Sequence, residues 1–461
     1  MVSGRRLGSV SRQRSIARRD VSLSKPPLGF SWVAGKGPVA RLVARPLRRF
    51  LDTEAASGAV LLVATVAALM WANSPWSAAY DSLWHTEAGF SIGSLDVTED
   101  LRHWVNDGLM ALFFLVVGLE IKRELVSGEL NDFRKAAVPV VAAIGGMIVP
   151  AAIYLAFNVG EASSHGWGIP MATDIAFAVG VLALVGRSLP SGLRVFLLSL
   201  AIVDDIGAIL VIALFYTANI SIPWLALAVG GIGFSVFLRS MKVWWTPIYV
   251  VIGMVIWFAT FESGVHATIA GVVLGLLAPA RPADSGGAQD VFVEAQKFAD
   301  EPSAEEIRSL TIQAQETVSV AERIGSLLHP YTSFIVIPLF AFANAGLVID
   351  PDTIGDALSS QVALGVVLGL VIGKLVGVSL FSWFAVRSGL GTLPEDATWP
   401  QMFGVAALAG LGFTVSLFIS GLAFDDPTFA DQSKLGILVG SILAAIVGTV
   451  LIRMSARSTA E

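Results

Sequence analysis

From Gly58 to Arg453 the chain alternates long apolar runs with short polar gaps. A bilayer core of about 30 Å is crossed by about 20 helical residues. Twelve runs approach that length: 55–73, 104–124, 136–158, 167–186, 191–217, 222–239, 245–260, 262–279, 329–348, 361–386, 402–422 and 433–452. The pattern predicts an all-α polytopic membrane protein with twelve transmembrane helices. Two stretches stand outside the runs. Residues 74–100 are polar, and the alternation from Phe90 to Val97 around Gly93-Ser94 predicts a small external hairpin. Residues 280–328 are acidic and rich in Ala, Glu and Gln, a composition that suits a helical cytoplasmic insert.

The gaps carry an independent signal. Basic residues fall in alternate gaps: Lys122, Arg123, Arg134 and Lys135; Arg187 and Arg194; Arg239 and Lys242; Arg281 through Arg323; Arg387; then Arg453 and Arg457. The gaps at 74–100, 159–166, 218–221, 261 and 349–360 contain no Lys or Arg, and 423–432 holds three acids with Lys434 just beyond. Cytoplasmic loops are the basic ones, so both termini are predicted to be cytoplasmic. The domain reading is a tail at 1–50, helices one to eight within 51–279, the insert at 280–328, helices nine to twelve within 329–453, and a short end at 454–461.

Composition agrees. Of 461 residues 55% are hydrophobic and only 14% charged, against roughly 25% charged in a soluble domain, so the polar residues are too few to cover a water-soluble protein of this size. There is no cysteine, which excludes disulfides, thiolate nucleophiles and Cys-ligated metals. The five histidines at 85, 103, 165, 266 and 329 form no HExxH pair, an argument against a metalloenzyme. The net charge of −6 hides an asymmetry: residues 1–49 hold twelve basic residues and one acid, so the remaining 412 carry −17. The tail has too few large apolar residues to offset chain entropy and reads as disordered, drawn to anionic head groups.

Charges inside apolar runs are expensive and mark function. Asp204 and Asp205 lie in the middle of the fifth run. Neighbours on a helix point about 100° apart, so one faces a cavity while the other leans towards a neighbouring helix. Asp174 follows Gly168, Pro170 and Thr173; the proline breaks the helical ladder and frees carbonyls. Lys374 is the one basic residue deep inside a run, and its ammonium needs a carboxylate, with Asp204 or Asp205 the candidates, or the negative ends of broken helices. Gly410 and Gly412 interrupt the eleventh run, where Thr414 and Ser416 offer oxygens. One broken run in each half points to an inverted-repeat transporter with a midplane site. Asp107 and Glu120 mark the two ends of the second run. Asp107 fits an external funnel, whereas Glu120, Lys122, Arg123 and Glu124 cluster at the cytoplasmic end. His266 opens the short eighth run and His329 the ninth; either could titrate near neutral pH, but a packing histidine is the favoured reading.

These residues resemble the NhaA family of sodium/proton antiporters. The resemblance is carried by Asn106–Leu125, Ala172–Ala178, Ala201–Ala208, Ser263–Thr268, Pro338–Gly346 and Gly410–Thr414, and it spans roughly 50–453 without the insert. It implies twelve spans built as inverted repeats, the fourth and eleventh being discontinuous and crossing. By resemblance Asp204 and Asp205 bind the cation (Na+ or Li+) and carry the protons, with Thr173 nearby. Asp174 then offsets positive helix ends and Lys374 negative ones, Lys374 also pairing with Asp204. The positions matching Glu120, Arg123, Glu124, His266 and His329 belong to the family's pH response. The sequence departs from the pattern at Gly325-Ser326, where the best-known members carry an acid and a histidine, and in its tail and insert. The expected activity is electrogenic, pH-regulated exchange of cytoplasmic Na+ for external H+, without a cofactor, catalytic residue or nucleic-acid partner. The expected setting is the lipid bilayer of a bacterial inner membrane, and a homodimer is compatible with it. A sodium-coupled organic-solute symporter of similar fold is the alternative. An intramembrane aspartyl protease is disfavoured, because neither Tyr-Asp nor Gly-x-Gly-Asp occurs at Asp174 or at Asp204-Asp205.

Overall fold

The computed structural model describes residues 54–458, apart from short connections at 93–94, 187–188, 218–219, 242, 244–245, 283–286, 301–302, 351–354 and 356–358. The basic tail at 1–50 and the Gly93-Ser94 turn lie outside the described residues. From Glu54 onward the chain packs as one unit.

Helix α1 (Glu54–Ala72) leads into α2 (Ser77–Trp84), which turns away from it by 116°. Two strands follow, β1 (Glu87–Ile92) and β2 (Leu95–Asp100), paired antiparallel with Phe90 opposite Val97 and Ile92 opposite Leu95. The alternation around Gly93-Ser94 did predict this hairpin, whereas polarity alone hid α2. Its attachment is aromatic: Trp71, Tyr80, Trp84 and Phe342 gather with ring centroids 5.8–6.2 Å apart. The Tyr80 hydroxyl donates to the carbonyls of Phe342 and Ala343, and burial pushes its pKa up to about 12.

Next comes α3 (residues 101–127), started by an Asp100 carboxylate that accepts from the His103 amide and carrying a π-helical turn at Trp104–Leu109. Then come α4 (Phe133–Asn158), a 3-10 stretch (Ala162–Met171) broken from α5 (Ile175–Val185), α6 (Ser191–Phe215), α7 (Ile222–Ser240), α8 (Thr246–Glu262) and α9 (Ala267–Leu277). Beyond the insert lie α12 (Val320–Asn344), α13 (Gln361–Arg387), the pair α14 (Trp399–Leu408) and α15 (Phe413–Ala423), and α16 (Pro427–Ser458). Six of these helices are long and apolar enough to cross a membrane, or nine if each bent pair counts as one span. Large apolar side chains such as Val63, Met70, Leu214, Ile222 and Met254 are exposed on them. That is the surface of a polytopic membrane protein, since lipid replaces the core as the apolar solvent.

The insert folds as two helices, α10 (Ala288–Asp300) and α11 (Ala304–Glu316), joined where the Ser309 hydroxyl donates to Glu294. The ninth helix departs from the hydropathy reading, starting at Val320 and not at 329. Ser319 caps it by accepting from the Glu322 amide; Glu322 and Arg323 had made this first turn look like part of the insert. His329 therefore sits inside a helix, and the insert ends at 319.

Helices α3 and α9 run parallel in direct backbone contact. A Cβ on Gly271 would overlap the Ala111 carbonyl, and one on Gly275 would lie 2.6 Å from the Leu115 carbonyl oxygen. Gly271→Leu is expected to separate these helices at a cost of about 1–3 kcal/mol or more. The check is a lowered thermal unfolding midpoint of purified protein in detergent.

Candidate functional site

Two helix breaks meet in the middle of the molecule. The first spans Ala172–Asp174, between segments bent by 43°; the second spans 409–412, between α14 and α15, bent by 45°. Their exposed backbone groups satisfy one another, as buried polar groups must. The Asp174 amide donates to the Leu411 carbonyl, the Thr173 hydroxyl to the Ala409 carbonyl at 2.8 Å, and the Ser416 hydroxyl to the Ile169 carbonyl at 2.7 Å. Gly412 makes the approach possible, since a Cβ there would stand 2.9 Å from the Ala172 carbonyl oxygen.

Asp174 is the N-cap of α5, accepting from the Phe177 amide at 3.0 Å. Its other oxygen accepts from the Thr414 amide at 3.0 Å and the Thr414 hydroxyl at 2.6 Å. Thr414 lies in the first turn of α15, so one carboxylate faces the positive ends of two helices.

Beside the breaks, Lys374 of α13 is wholly buried. Its Nζ lies 2.6 Å from Asp204 Oδ2 and donates to the Thr173 hydroxyl at 3.1 Å. Through Thr173 the ammonium thus connects to the carbonyl at the end of α14. Asp204 Oδ1 is buried without a hydrogen-bond partner. Asp205, 4% exposed, accepts no hydrogen bond among those described, and its electrostatic neighbours include Asp204, Glu120 and Asp174 as well as the Lys374 ammonium. The 100° offset between adjacent helical positions is therefore realised as a division: Asp204 turns to α13, and Asp205 stays free. Two carboxylates with hydroxyl and carbonyl oxygens suit a hard monovalent cation. Among the described residues no group of three or more His, Cys, Asp or Glu gathers as a metal centre.

The remaining candidates lie towards the two ends of α3, with Glu120 close enough to act electrostatically on Asp205. At one end Arg123 sits 3.8 Å from Glu124, whose carboxylate accepts from the Glu129 amide. Glu120 is one turn further in, and Arg123 acts electrostatically on His329 across the contact of α12 with α3. At the other end lies Asp107. Because α9 runs parallel to α3, His266 is at that same end, with its Nε2 2.8 Å from the Tyr216 carbonyl.

Sequence reasoning missed two partners here. His103 places Nε2 3.0 Å from Asp107 and Nδ1 3.7 Å from Glu99, although its spacing of four residues from each was a readable signal. Asn106 and Asn344 exchange amide hydrogen bonds across α3 and α12, which no local spacing could reveal.

A polytopic helical protein with a buried ammonium, two carboxylates and two meeting helix breaks belongs to the class of ion-coupled membrane transporters. A family model described as Na+/H+ antiporter 1 matches residues 48–452, and the chain belongs to that family. It is 47% identical over 422 residues to Na(+)/H(+) antiporter NhaA 3 of Frankia alni, covering 91% of each chain. It is 47% identical to Na(+)/H(+) antiporter NhaA of Rhodopirellula baltica, over 88% of this chain and 92% of that one. To the protein of that name from Koribacter versatilis it is 45% identical, over 94% and 96%.

His103 lies just before the span that starts at 104, and its hydrogen bond to Asp107 holds the imidazole above its ordinary value. The sign follows: the interaction contributes fully below the unfolded pKa of about 6.5 and is lost as pH rises through the higher folded value. Histidine-labelled NMR is expected to show a His103 midpoint above about 6.5 that falls in Asp107→Asn. An unchanged midpoint would contradict the assignment.

Proposed function

We propose that the chain exchanges Na+ or Li+ for H+ at the Asp204–Asp205 site, and the observation that carries this reading is the buried Lys374–Asp204 pair beside an Asp205 with no partner. Family membership and the names of the relatives support Na+/H+ exchange over the organic-solute symporter. The mechanism needs only competition. Ionised Asp205, Asp204 Oδ1 and oxygens near Thr173 coordinate the cation. Protonation of the carboxylates, or of Asp204 together with Lys374, removes the negative charge and expels it. Since cation and protons exclude one another, a site that crosses the membrane only when occupied couples their movements. If two protons enter for each Na+ that leaves, a potential of 100 mV, inside negative, contributes about 2.3 kcal/mol to extrusion.

The twelve helical crossings in this reading are α1, α3, α4, the 3-10 stretch with α5, α6, α7, α8, α9, α12, α13, the α14–α15 pair and α16. The fourth and eleventh are the discontinuous pair that cross, one in each inverted repeat. Asp174 offsets the positive ends at the crossing, and Lys374, through Thr173, the negative end of α14. The alternation of basic gaps supports cytoplasmic termini in a bacterial inner membrane. It places Glu120, Arg123, Glu124 and His329 on the cytoplasmic side, as a pH-responsive cluster, and Asp107 and His266 on the external side, near a funnel. A homodimer fits the same reading.

Everted vesicles from cells lacking their own antiporters, energised to an acid interior, provide the test. NaCl, but not KCl, is expected to dissipate the pH gradient, and Asp205→Asn is expected to reduce this to background while purified protein keeps its elution profile. Normal turnover of reconstituted Asp205→Asn would remove the reading.

A further inference from the structure

A buried lysine that must meet a carboxylate on another helix has to arrive at one depth and one rotation. Helix α13 reaches that placement through an irregularity. Gly369–Gly373 form a π-helical turn that ends immediately before Lys374. Such a turn inserts a residue into the α-helical ladder and re-aims all that follows. The glycines of this region sit against the backbones of other elements. A Cβ on Gly369 would lie 2.7 Å from Pro170 Cβ, one on Gly373 2.8 Å from Pro150 Cα, and one on Gly377 would overlap the Gly145 carbonyl. On the α4 side, Pro150 has no amide hydrogen to give the Gly146 carbonyl four residues earlier. Gly146 itself faces the lysine: a Cβ there would stand 3.9 Å from Lys374 Nζ and 2.9 Å from Val378 Cγ2.

We propose that this seat of glycine on proline, with Gly373 and Gly146 as its positioning residues, fixes the distance from Lys374 to Asp204 and thereby the affinity for the transported cation. The inference rests on the Na+/H+ exchange reading above. Its physical content is a competition. The ammonium and the cation contend for Asp204, and the charged groups that act on Lys374 are Asp204 and Asp205, both from α6. A methyl group at Gly146 would have to displace Val378, one turn beyond Lys374, and one at Gly373 would lift α13 off the Pro150 backbone. Either change shifts α13 against α4, weakens the Lys374–Asp204 pair and leaves the carboxylate more available to Na+.

The test uses the full chain in liposomes, with Na+-driven proton movement followed from pH 6 to 9 as Na+ is varied. Gly373→Ala and Gly146→Ala are expected to lower the KM for Na+ about threefold with little change in kcat. Gly146→Ala meets only side-chain atoms of α13 and carries the test if Gly373→Ala does not fold. The control is Gly365→Ala, which crowds Tyr154 and Asn158 in the same pair of helices on the far side of the π turn. It is expected to reduce yield or kcat and leave KM in place. Unchanged KM in folded Gly146→Ala, or an equal shift in Gly365→Ala, would overturn the proposal. Absence of Na+ exchange in the unsubstituted protein would instead overturn the exchange reading beneath it.

Discussion

Burying the ammonium of Lys374 is the constraint on which the rest of the site depends. An isolated charge in an apolar interior carries a penalty of several kcal/mol, and losing one partner of such a pair costs about 3–5 kcal/mol. The lysine is therefore held by Asp204 and the Thr173 hydroxyl. That arrangement forces α6, α13 and the first helix break to meet at one point. Everything else at the centre accommodates the meeting. Gly369, Gly373 and Gly377 let α13 come close, and Asp174 takes the amide groups that the breaks expose.

The pair also explains why two adjacent carboxylates are tolerated. One is tied to a cation within the protein, and the other is left among acids with no hydrogen bond. A site so arranged is short of positive charge, which in the proposed exchange a small cation or a proton supplies. In a water-filled cleft the same residues would be screened and such a competition would be weak.

Irregular backbone serves this centre throughout. The breaks at 172–174 and 409–412 exchange hydrogen bonds with each other, which pairs backbone groups that the apolar surroundings could not satisfy. The π turns at Trp104–Leu109 and Gly369–Gly373 each re-aim the residues that follow them. At the first, the loosened carbonyl of Asp107 accepts from the Trp257 indole on α8.

The sequence by itself determined that the chain crosses a membrane many times, because apolar runs of bilayer length and alternating basic gaps are local properties. It marked Asp174, Asp204, Asp205 and Lys374 for the same reason: a charge inside an apolar run is anomalous wherever the run is placed. It located both breaks from Pro170, Gly410 and Gly412. Hydropathy failed where a helix begins in polar residues, as α12 does at Ser319–Arg323, and where a short helix sits in a polar stretch, as α2 does. Residue patterning left both Asp204 and Asp205 open to the lysine, and only the family resemblance pointed to Asp204. Tertiary structure brought that pair together, linked Lys374 to Ala409 through Thr173, and made Asn106 meet Asn344. Those pairings join residues 170, 236 and 238 positions apart. No periodicity reaches so far, since the partners are chosen by the packing of helices and not by the chain between them.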